Sequence, residues 1–88
     1  MKSEVKLSWS DEAWEDYLYW YETNKSLFRR INALIKDIKR HPTEGIGDPE
    51  PLRYNWSGYW SRRINQEHRL VYKALKDEIY IAQCRYHY

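Results

Sequence analysis

The sequence predicts an α+β fold in which an N-terminal strand and a helical hairpin pack on a small, mainly antiparallel sheet. The hydrophobic period is 3.6 residues between residues 11 and 40 and changes to 2 after residue 58. Residues 41–51 separate these halves; they hold all three prolines and two of the three glycines, so we expect a loop. With 88 residues in total, residues 1–88 are expected to form one domain.

The first half of the chain predicts one strand and two helices. Residues 5–9 alternate apolar and polar side chains, which is typical of a strand. Ser10 is the expected N-cap of a first helix, and a second helix is expected to begin near Asn24 and to end at Pro42. The apolar stripe that predicts the buried face of the first helix consists of Trp14, Tyr17, Leu18 and Tyr21. The stripe of the second consists of Leu27, Phe28, Ile31, Leu34, Ile35 and Ile38.

The second half predicts a β-meander. Residues 59–64, 68–75 and 78–86 have strand-like patterns, and turn-length breaks separate them. A short extended piece is expected near residues 52–54. The helical hairpin would cover one face of this sheet, which gives a two-layer α+β architecture.

The aromatic content and the distribution of charge point to nucleic acid. The chain has five Trp and nine Tyr but one Phe. Residues 1–48 hold eight basic and nine acidic residues, whereas residues 49–88 hold seven basic and four acidic. Basic groups interleaved with aromatic rings in the second half are typical of a nucleic-acid surface.

Several other classes of protein are disfavoured. Cys84 is the single cysteine, so it cannot form an internal disulfide and is expected in the core. No apolar run approaches the ~20 residues that span a bilayer, and we expect a cytoplasmic protein that does not act at a membrane. A zinc site needs about four converging ligands, which the sequence does not supply, so no metal and no cofactor are expected.

The remaining candidates form an acid–base set. Glu50 lies between two prolines, which restrict its backbone, and it can act as a base. Histidine is the side chain whose unperturbed pKa falls closest to neutrality, so His87 can act as an acid, whereas the role of His68 is left open. A carboxylate, a guanidinium and a histidine together can cleave RNA without a metal through its 2′-hydroxyl. The pattern alone does not choose the arginine among Arg62, Arg63 and Arg69, and Glu50 as a solvated turn residue remains the competing interpretation.

At this point the motifs resemble a known family. The resemblance is to the YoeB toxins, in the Txe/YoeB branch of the RelE/ParE toxin–antitoxin superfamily, and it runs over nearly the whole chain. The motifs are Trp-Ser at 9–10, Tyr-Leu-Tyr-Trp at 17–20, Pro-Glu-Pro-Leu at 49–52, Ser-Gly-Tyr-Trp-Ser-Arg-Arg-Ile at 57–64, Glu-His-Arg-Leu-Val-Tyr at 67–72 and Cys-Arg-Tyr-His-Tyr at 84–88. The last three motifs together are highly specific.

The resemblance implies a microbial-ribonuclease-like fold and an mRNA interferase that cleaves messenger in the ribosomal A site. It implies an antitoxin of the YefM type, a toxin homodimer, and a complex that binds operator DNA and represses its own operon. It assigns Glu50 as general base, Arg69 as the phosphate-binding residue, His87 as general acid and Tyr88 as the residue that orients the substrate. Together with the basic and aromatic pattern, it predicts an RNA- and ribosome-binding surface of Arg53, Arg62, Arg63, Arg85, Trp56 and Trp60.

Three alternatives stay open. A toxin of the same fold can bind another target, such as gyrase, without cutting RNA. A non-catalytic RNA- or ribosome-binding module can use the same aromatic and basic residues. An inactive toxin can survive as the antitoxin-bound subunit of a repressor. The sequence does not reveal codon preference, stoichiometry or activity on free RNA.

Overall fold

The fold is described from a computed structural model, in which residues 4–86 are described. Two helices pack against one face of a mixed sheet. In residues 4–86, neither helix is long and apolar enough to cross a membrane.

The two helices have the boundaries that their caps predict. Helix α1 spans Asp11–Thr23 and helix α2 spans Lys25–Arg40. Ser10 Oγ accepts a hydrogen bond from the backbone N–H of Ala13 at 3.0 Å, and Asn24 Oδ1 accepts one from that of Leu27 at 3.1 Å. Each side chain satisfies a donor that the first helical turn leaves unpaired, so the expected N-cap at Ser10 and the expected start near Asn24 are confirmed.

The strands within residues 4–86 form one sheet. They are β1 Lys6–Trp9, β2 Glu50–Pro51, β3 Trp60–Arg63, β4 Arg69–Leu75 and β5 Glu78–Gln83, in the spatial order β1-β5-β4-β3-β2. Strands β2 to β5 pair antiparallel with their neighbours, whereas β1 pairs parallel with β5. The predicted α+β class with a mainly antiparallel sheet is therefore confirmed.

Helix α2 contributes the apolar side chains that its sequence predicts. Its buried residues are Ile31, Leu34, Ile35 and Ile38, and Leu27 and Phe28 pack at their edge. These residues recur on one side of the helix, and they meet apolar residues of β4 and β5 in one cluster. The core therefore lies between the helices and one face of the sheet.

Helix α1 is rotated relative to the prediction. Ala13 and Trp20 are its buried residues, whereas Trp14, Leu18 and Tyr21 are 46, 41 and 50% exposed. The predicted stripe is therefore wrong for these three. The hydropathy pattern did not predict that Ala13 is buried. Its small side chain fits where the helix packs on the sheet.

Two predicted segments of the second half differ from the structure. The last strand ends at Gln83 rather than at residue 86, because both backbone groups of Cys84 bond to side chains of α1. The extended piece expected near residues 52–54 is displaced: strand β2 lies just before it, Arg53 keeps an extended backbone, and a 3₁₀ turn spans Tyr54–Trp56.

Candidate active site

The sheet has two chemically different faces, because successive residues of a strand point to opposite sides. In β3, Arg62 is fully buried toward the helices, so its neighbours Ser61 and Arg63 point to the other side, called here the outer face. Glu50 pairs with Ser61, and Arg69 pairs with Arg63. Directly paired residues project from the same face. Glu50, Arg63 and Arg69 therefore share the outer face.

Glu50 is held at the edge of the sheet by its strand and by the loop before it. It begins β2, and its side chain is exposed. Just upstream, the carbonyl of Gly47 accepts a hydrogen bond from the backbone N–H of Arg63 at 2.7 Å. Pro49 and Pro51 restrict the backbone on either side. The backbone of Glu50, the predicted base, is thus restrained on both sides.

Arg69 is a nearly buried cation that the preceding turn holds in place. The residue is 9% exposed, and its Nη1 donates to the carbonyl oxygens of Asn65, Gln66 and His68 at 2.9, 3.3 and 3.3 Å. All three bonds leave from Nη1, so they hold the guanidinium against the turn of residues 65–68. A guanidinium held in this way is suited to phosphate oxygens, because its donors form a rigid fork.

The chain near the C-terminus is bonded to the residues beside Arg69. The backbone N–H of Tyr86 donates to Nδ1 of His68 at 2.8 Å, and the carbonyl of Tyr86 accepts from the backbone N–H of Arg69 at 3.1 Å. His68 is 7% exposed and packs edge-on against Trp20, with ring centroids 4.7 Å apart. Because Nδ1 accepts a hydrogen bond, it must carry no proton in this arrangement.

Helix α1 supplies a second set of contacts to the same segment. Trp20 Nε1 donates to the carbonyl of Cys84 at 2.8 Å, and the backbone N–H of Cys84 donates to a carboxylate oxygen of Asp16 at 3.2 Å. Burial raises the pKa of Asp16, although its bond to Cys84 acts in the opposite direction. The guanidinium of Arg85 lies 3.6 Å from the ring centroid of Tyr19, a cation–π contact. Each of the residues 84–86 is therefore held by at least one contact.

A pocket lies beside Glu50. It has a volume of about 440 Å³ and is lined by residues 50–56. Two residues of the predicted RNA-binding surface line it: Arg53, which is exposed, and Trp56, which is half-buried. The ring of Trp56 packs edge-on against Tyr59 with centroids 5.2 Å apart. The pocket thus joins a carboxylate, a cation and aromatic rings.

The other members of the predicted sites are distributed differently. Trp60 is half-buried and packs against the core on the helix side, and Arg85 packs on α1, so neither joins the outer face. Arg63 is exposed there, with Nε 3.7 Å from a carboxylate oxygen of Asp48. The predicted acid His87 and the predicted orienting residue Tyr88 lie outside the described residues.

The prediction that Arg62 binds RNA or the ribosome is wrong. Its side chain is fully buried, and Nη1 is 2.6 Å from a carboxylate oxygen of Asp37 on α2. It also donates to the carbonyls of His41, Glu44 and Ile46 and to the hydroxyl of Tyr72. The alternation of β3 decides this outcome, because Arg62 and Arg63 have the same chemistry but point to opposite faces.

Sequence reasoning missed the positioning roles of His68 and Asp16. The only sequence signal for His68 was its place beside Arg69 in the Glu-His-Arg motif. Asp16 lies on a helix among other acidic residues and has no distinguishing pattern. Both roles depend on contacts between residues distant in sequence: His68 and Tyr86 are 18 positions apart, and Asp16 and Cys84 are 68 apart.

Comparison with known proteins gives the family. Residues 9–88 match the model of the YoeB-like toxins of bacterial type II toxin–antitoxin systems. The toxin YoeB of Escherichia coli K12 is 61% identical over 84 residues, which cover 96% of this chain and all of that protein.

Two solved structures from Staphylococcus aureus are also similar. The YoeB–YefM complex matches with a TM-score of 0.89 and 48% identity, and the YoeB dimer with a TM-score of 0.91 and 47% identity. Each match covers 98% of this chain and 100% of the matched chain. The chain belongs to the YoeB-like toxins of bacterial type II toxin–antitoxin systems.

Proposed function

We propose that this toxin is an endoribonuclease that cuts messenger RNA in the ribosomal A site and thereby stops translation. Residues 1–88 would act as a single toxin domain in the cytoplasm, where ribosomes are found. Glu50 would be the general base, Arg69 the phosphate-binding residue, His87 the general acid and Tyr88 the residue that orients the substrate. Arg53, Arg63 and Trp56 would contact RNA or the ribosome.

One observation carries the proposal: Glu50 and Arg69 share the outer face of the sheet, and the carbonyl of Tyr86 is bonded to the backbone of Arg69. The proposed base and the proposed phosphate-binding residue therefore share a face of the sheet, and the residue before His87 is bonded to the backbone of Arg69. Cleavage of a phosphodiester needs such a set, because proton removal, charge stabilisation and proton delivery act on adjacent atoms.

The reaction follows from these groups. Glu50 takes the proton of a ribose 2′-hydroxyl, and the 2′-oxygen forms a bond to the adjacent phosphorus. Arg69 stabilises the negative charge on the non-bridging oxygens. The bond from phosphorus to the 5′-oxygen breaks, and His87 protonates that oxygen. The products are a 2′,3′-cyclic phosphate and a 5′-hydroxyl, and no metal ion takes part.

We also propose the partners of the toxin. The Staphylococcus aureus relatives include a YoeB–YefM complex and a YoeB dimer. On this basis, a YefM-like antitoxin would neutralise the present toxin, and the toxin alone would form a homodimer. The toxin–antitoxin complex would bind operator DNA through the antitoxin and repress its own operon.

The test is a reconstituted translation reaction with a defined messenger, in which RNA ends are mapped. We expect a cut in the A-site codon with the two end groups named above, and no cut where a 2′-deoxynucleotide precedes the scissile phosphate. Sulfur at a non-bridging oxygen should slow cleavage, and Mn²⁺ or Cd²⁺ should not restore it; rescue would contradict the metal-free scheme. Intact messenger with antitoxin-free toxin would favour one of the non-cleaving alternatives.

Matched variants separate the roles. Glu50→Gln and His87→Gln should lower the rate of cleavage by about 10²-fold or more while ribosome binding persists. Glu44→Gln, which changes an exposed carboxylate of the same loop region, should cleave like the wild type. Arg69→Gln should also lose cleavage, whereas Arg29→Gln, on the exposed side of α2, should not. Unfolding of His87→Gln would show that His87 is structural.

A further inference from the structure

Tyr54 has a backbone conformation that its side chain disfavours. Its φ is 57°, in the left-handed region that a bulky residue rarely adopts. The backbone adopts this conformation where Tyr54 is a central residue of the turn that the N–H of Trp56 closes on the carbonyl of Arg53 at 3.0 Å. Glycine would adopt it without strain. At this position, a tyrosine is therefore less favourable for folding than a glycine.

The ring of Tyr54 does not offset that cost by packing. It is 91% exposed, the highest value among the large hydrophobic residues that are exposed in residues 4–86. Tyr54 is one of the residues 50–56 that line the pocket of about 440 Å³. Strained residues that persist without a packing benefit concentrate at functional sites. The structure thus gives Tyr54 the position of a ligand-binding residue.

The chemistry of the pocket fits a nucleotide. Arg53 supplies a cation for a phosphate, and Asn55 supplies an amide that can bond the edge of a base. Tyr54 offers an aromatic face, on which a base can stack. The pocket also includes Glu50, and Arg63 and Arg69 extend the positive charge over the outer face. This charge favours an anionic chain of RNA.

We propose that the ring of Tyr54 stacks on a base of single-stranded RNA next to the bond that is cut. The inference rests on the proposed function, because it locates the base relative to Glu50 as the general base. Tyr54 would be a specificity and positioning residue, and its contribution would be to hold the nucleotide rather than to move a proton. The ring, not the hydroxyl, would make this contact.

The experiment compares Tyr54→Gly with Tyr54→Phe. Tyr54→Gly removes the ring and relieves the strain at positive φ, so its denaturant midpoint should rise while kcat/KM for messenger cleavage falls about tenfold. Tyr54→Phe should retain kcat/KM within about twofold, because it keeps the aromatic face. Tyr21→Ala, which removes a half-exposed ring of α1, serves as the control and should leave cleavage unchanged. A more stable protein with weaker cleavage cannot be explained by misfolding.

A second readout reports binding without cleavage. Programmed ribosomes would carry 2-aminopurine in the A-site codon and a 2′-deoxynucleotide at the scissile position, and the wild type and Tyr54→Phe should quench its fluorescence more than Tyr54→Gly does. Tyr54-dependent quenching without cleavage of normal messenger would support the stacking site and refute the proposed nuclease.

Two outcomes would overturn the inference. Equal quenching and equal cleavage by the wild type and Tyr54→Gly would show that the ring does not contact RNA, while the nuclease proposal would stand. Weaker binding of a YefM-like antitoxin by Tyr54→Gly, with unchanged cleavage, would assign the pocket to a protein partner.

Discussion

Two segments lead to the proposed catalytic residues, and different chemistry holds each of them. Residues 41–48, which precede Glu50, are clamped by the buried guanidinium of Arg62 and its ion pair with Asp37. Residues 84–86, which precede His87, are held by hydrogen bonds between their backbone groups and the side chains of other residues, and by a cation–π contact of Arg85. We call the contacts that hold residues 41–48 the first anchor and those that hold residues 84–86 the second anchor. The first depends on one buried charge, whereas the second depends on several side chains.

The difference predicts what the loss of each anchor should do to the fold. A buried charge that loses its partners carries a large penalty, so the first anchor should fail together with the fold. Each bond of the second anchor contributes less, so its loss should displace the chain end while the core remains intact. Gly47 sharpens the contrast, because a Cβ there would lie 2.8 Å from Leu34 and 3.2 Å from Cβ of Arg62. Gly47 therefore lies against core side chains, whereas Tyr86 is exposed.

The largest effect is expected from Arg62→Leu. The substitution leaves the carbonyls of the loop without their donor and Asp37 without its cation, so the free energy of unfolding should fall by about 2 kcal/mol or more. Arg63→Leu, which changes the exposed neighbour, should alter it by about 0.5 kcal/mol or less. Urea unfolding measures both. Similar values for the two variants would contradict the assignment of Arg62 to the core.

An intermediate effect is expected at His68. Asparagine offers an acceptor near the place of Nδ1, whereas glutamine offers one near Nε2, so His68→Asn can keep the bond from Tyr86 and His68→Gln cannot. Both variants lose the ring contact with Trp20 and should have similar stability. Cleavage should fall about tenfold to hundredfold in His68→Gln and about threefold or less in His68→Asn.

Amide hydrogen exchange at Tyr86 supplies the second measurement for this pair. Exchange should be faster in His68→Gln than in His68→Asn if the bond to Nδ1 orders the chain end. Equal exchange and equal cleavage in the two variants would show that the bond to Nδ1 of His68 does not order the chain end.

The smallest effect is expected from the ionisation of Asp37, on the stability of the fold at low pH. The hydrogen bond from Arg62 lowers the pKa of Asp37 below its ordinary value of 3.8. Because the folded-state pKa lies below the unfolded-state value, the ionised carboxylate stabilises the fold fully above about pH 4, and this contribution is lost as pH falls through the folded-state pKa.

The measurement for Asp37 is urea unfolding between pH 2 and 5. Asp37→Asn should show a weaker loss of stability with acid than the wild type, because it has no proton to gain. Asp48→Asn, whose carboxylate is 81% exposed, should follow the wild type. If Asp37→Asn loses as much stability in acid as the wild type does, another carboxylate governs the acid sensitivity.

The sequence was sufficient where local patterns dominate. The period of 3.6 residues and the caps Ser10 and Asn24 predicted both helices, because these signals act within a few residues. The alternation in the second half predicted three strands of the meander. It overestimated the length of the last, since Cys84 bonds to α1 rather than to the sheet.

The sequence by itself determined the α+β class, the loop with its prolines around Glu50, and the motifs that resemble the YoeB toxins. Only the tertiary structure decided which arginine enters the core, because Arg62 and Arg63 are equivalent in composition and differ in the face to which β3 turns them. It also decided that His68 bonds to Tyr86 and that Tyr54 stands exposed beside Glu50 at positive φ. These features depend on strand register and on contacts between residues distant in the chain, which local hydropathy does not encode.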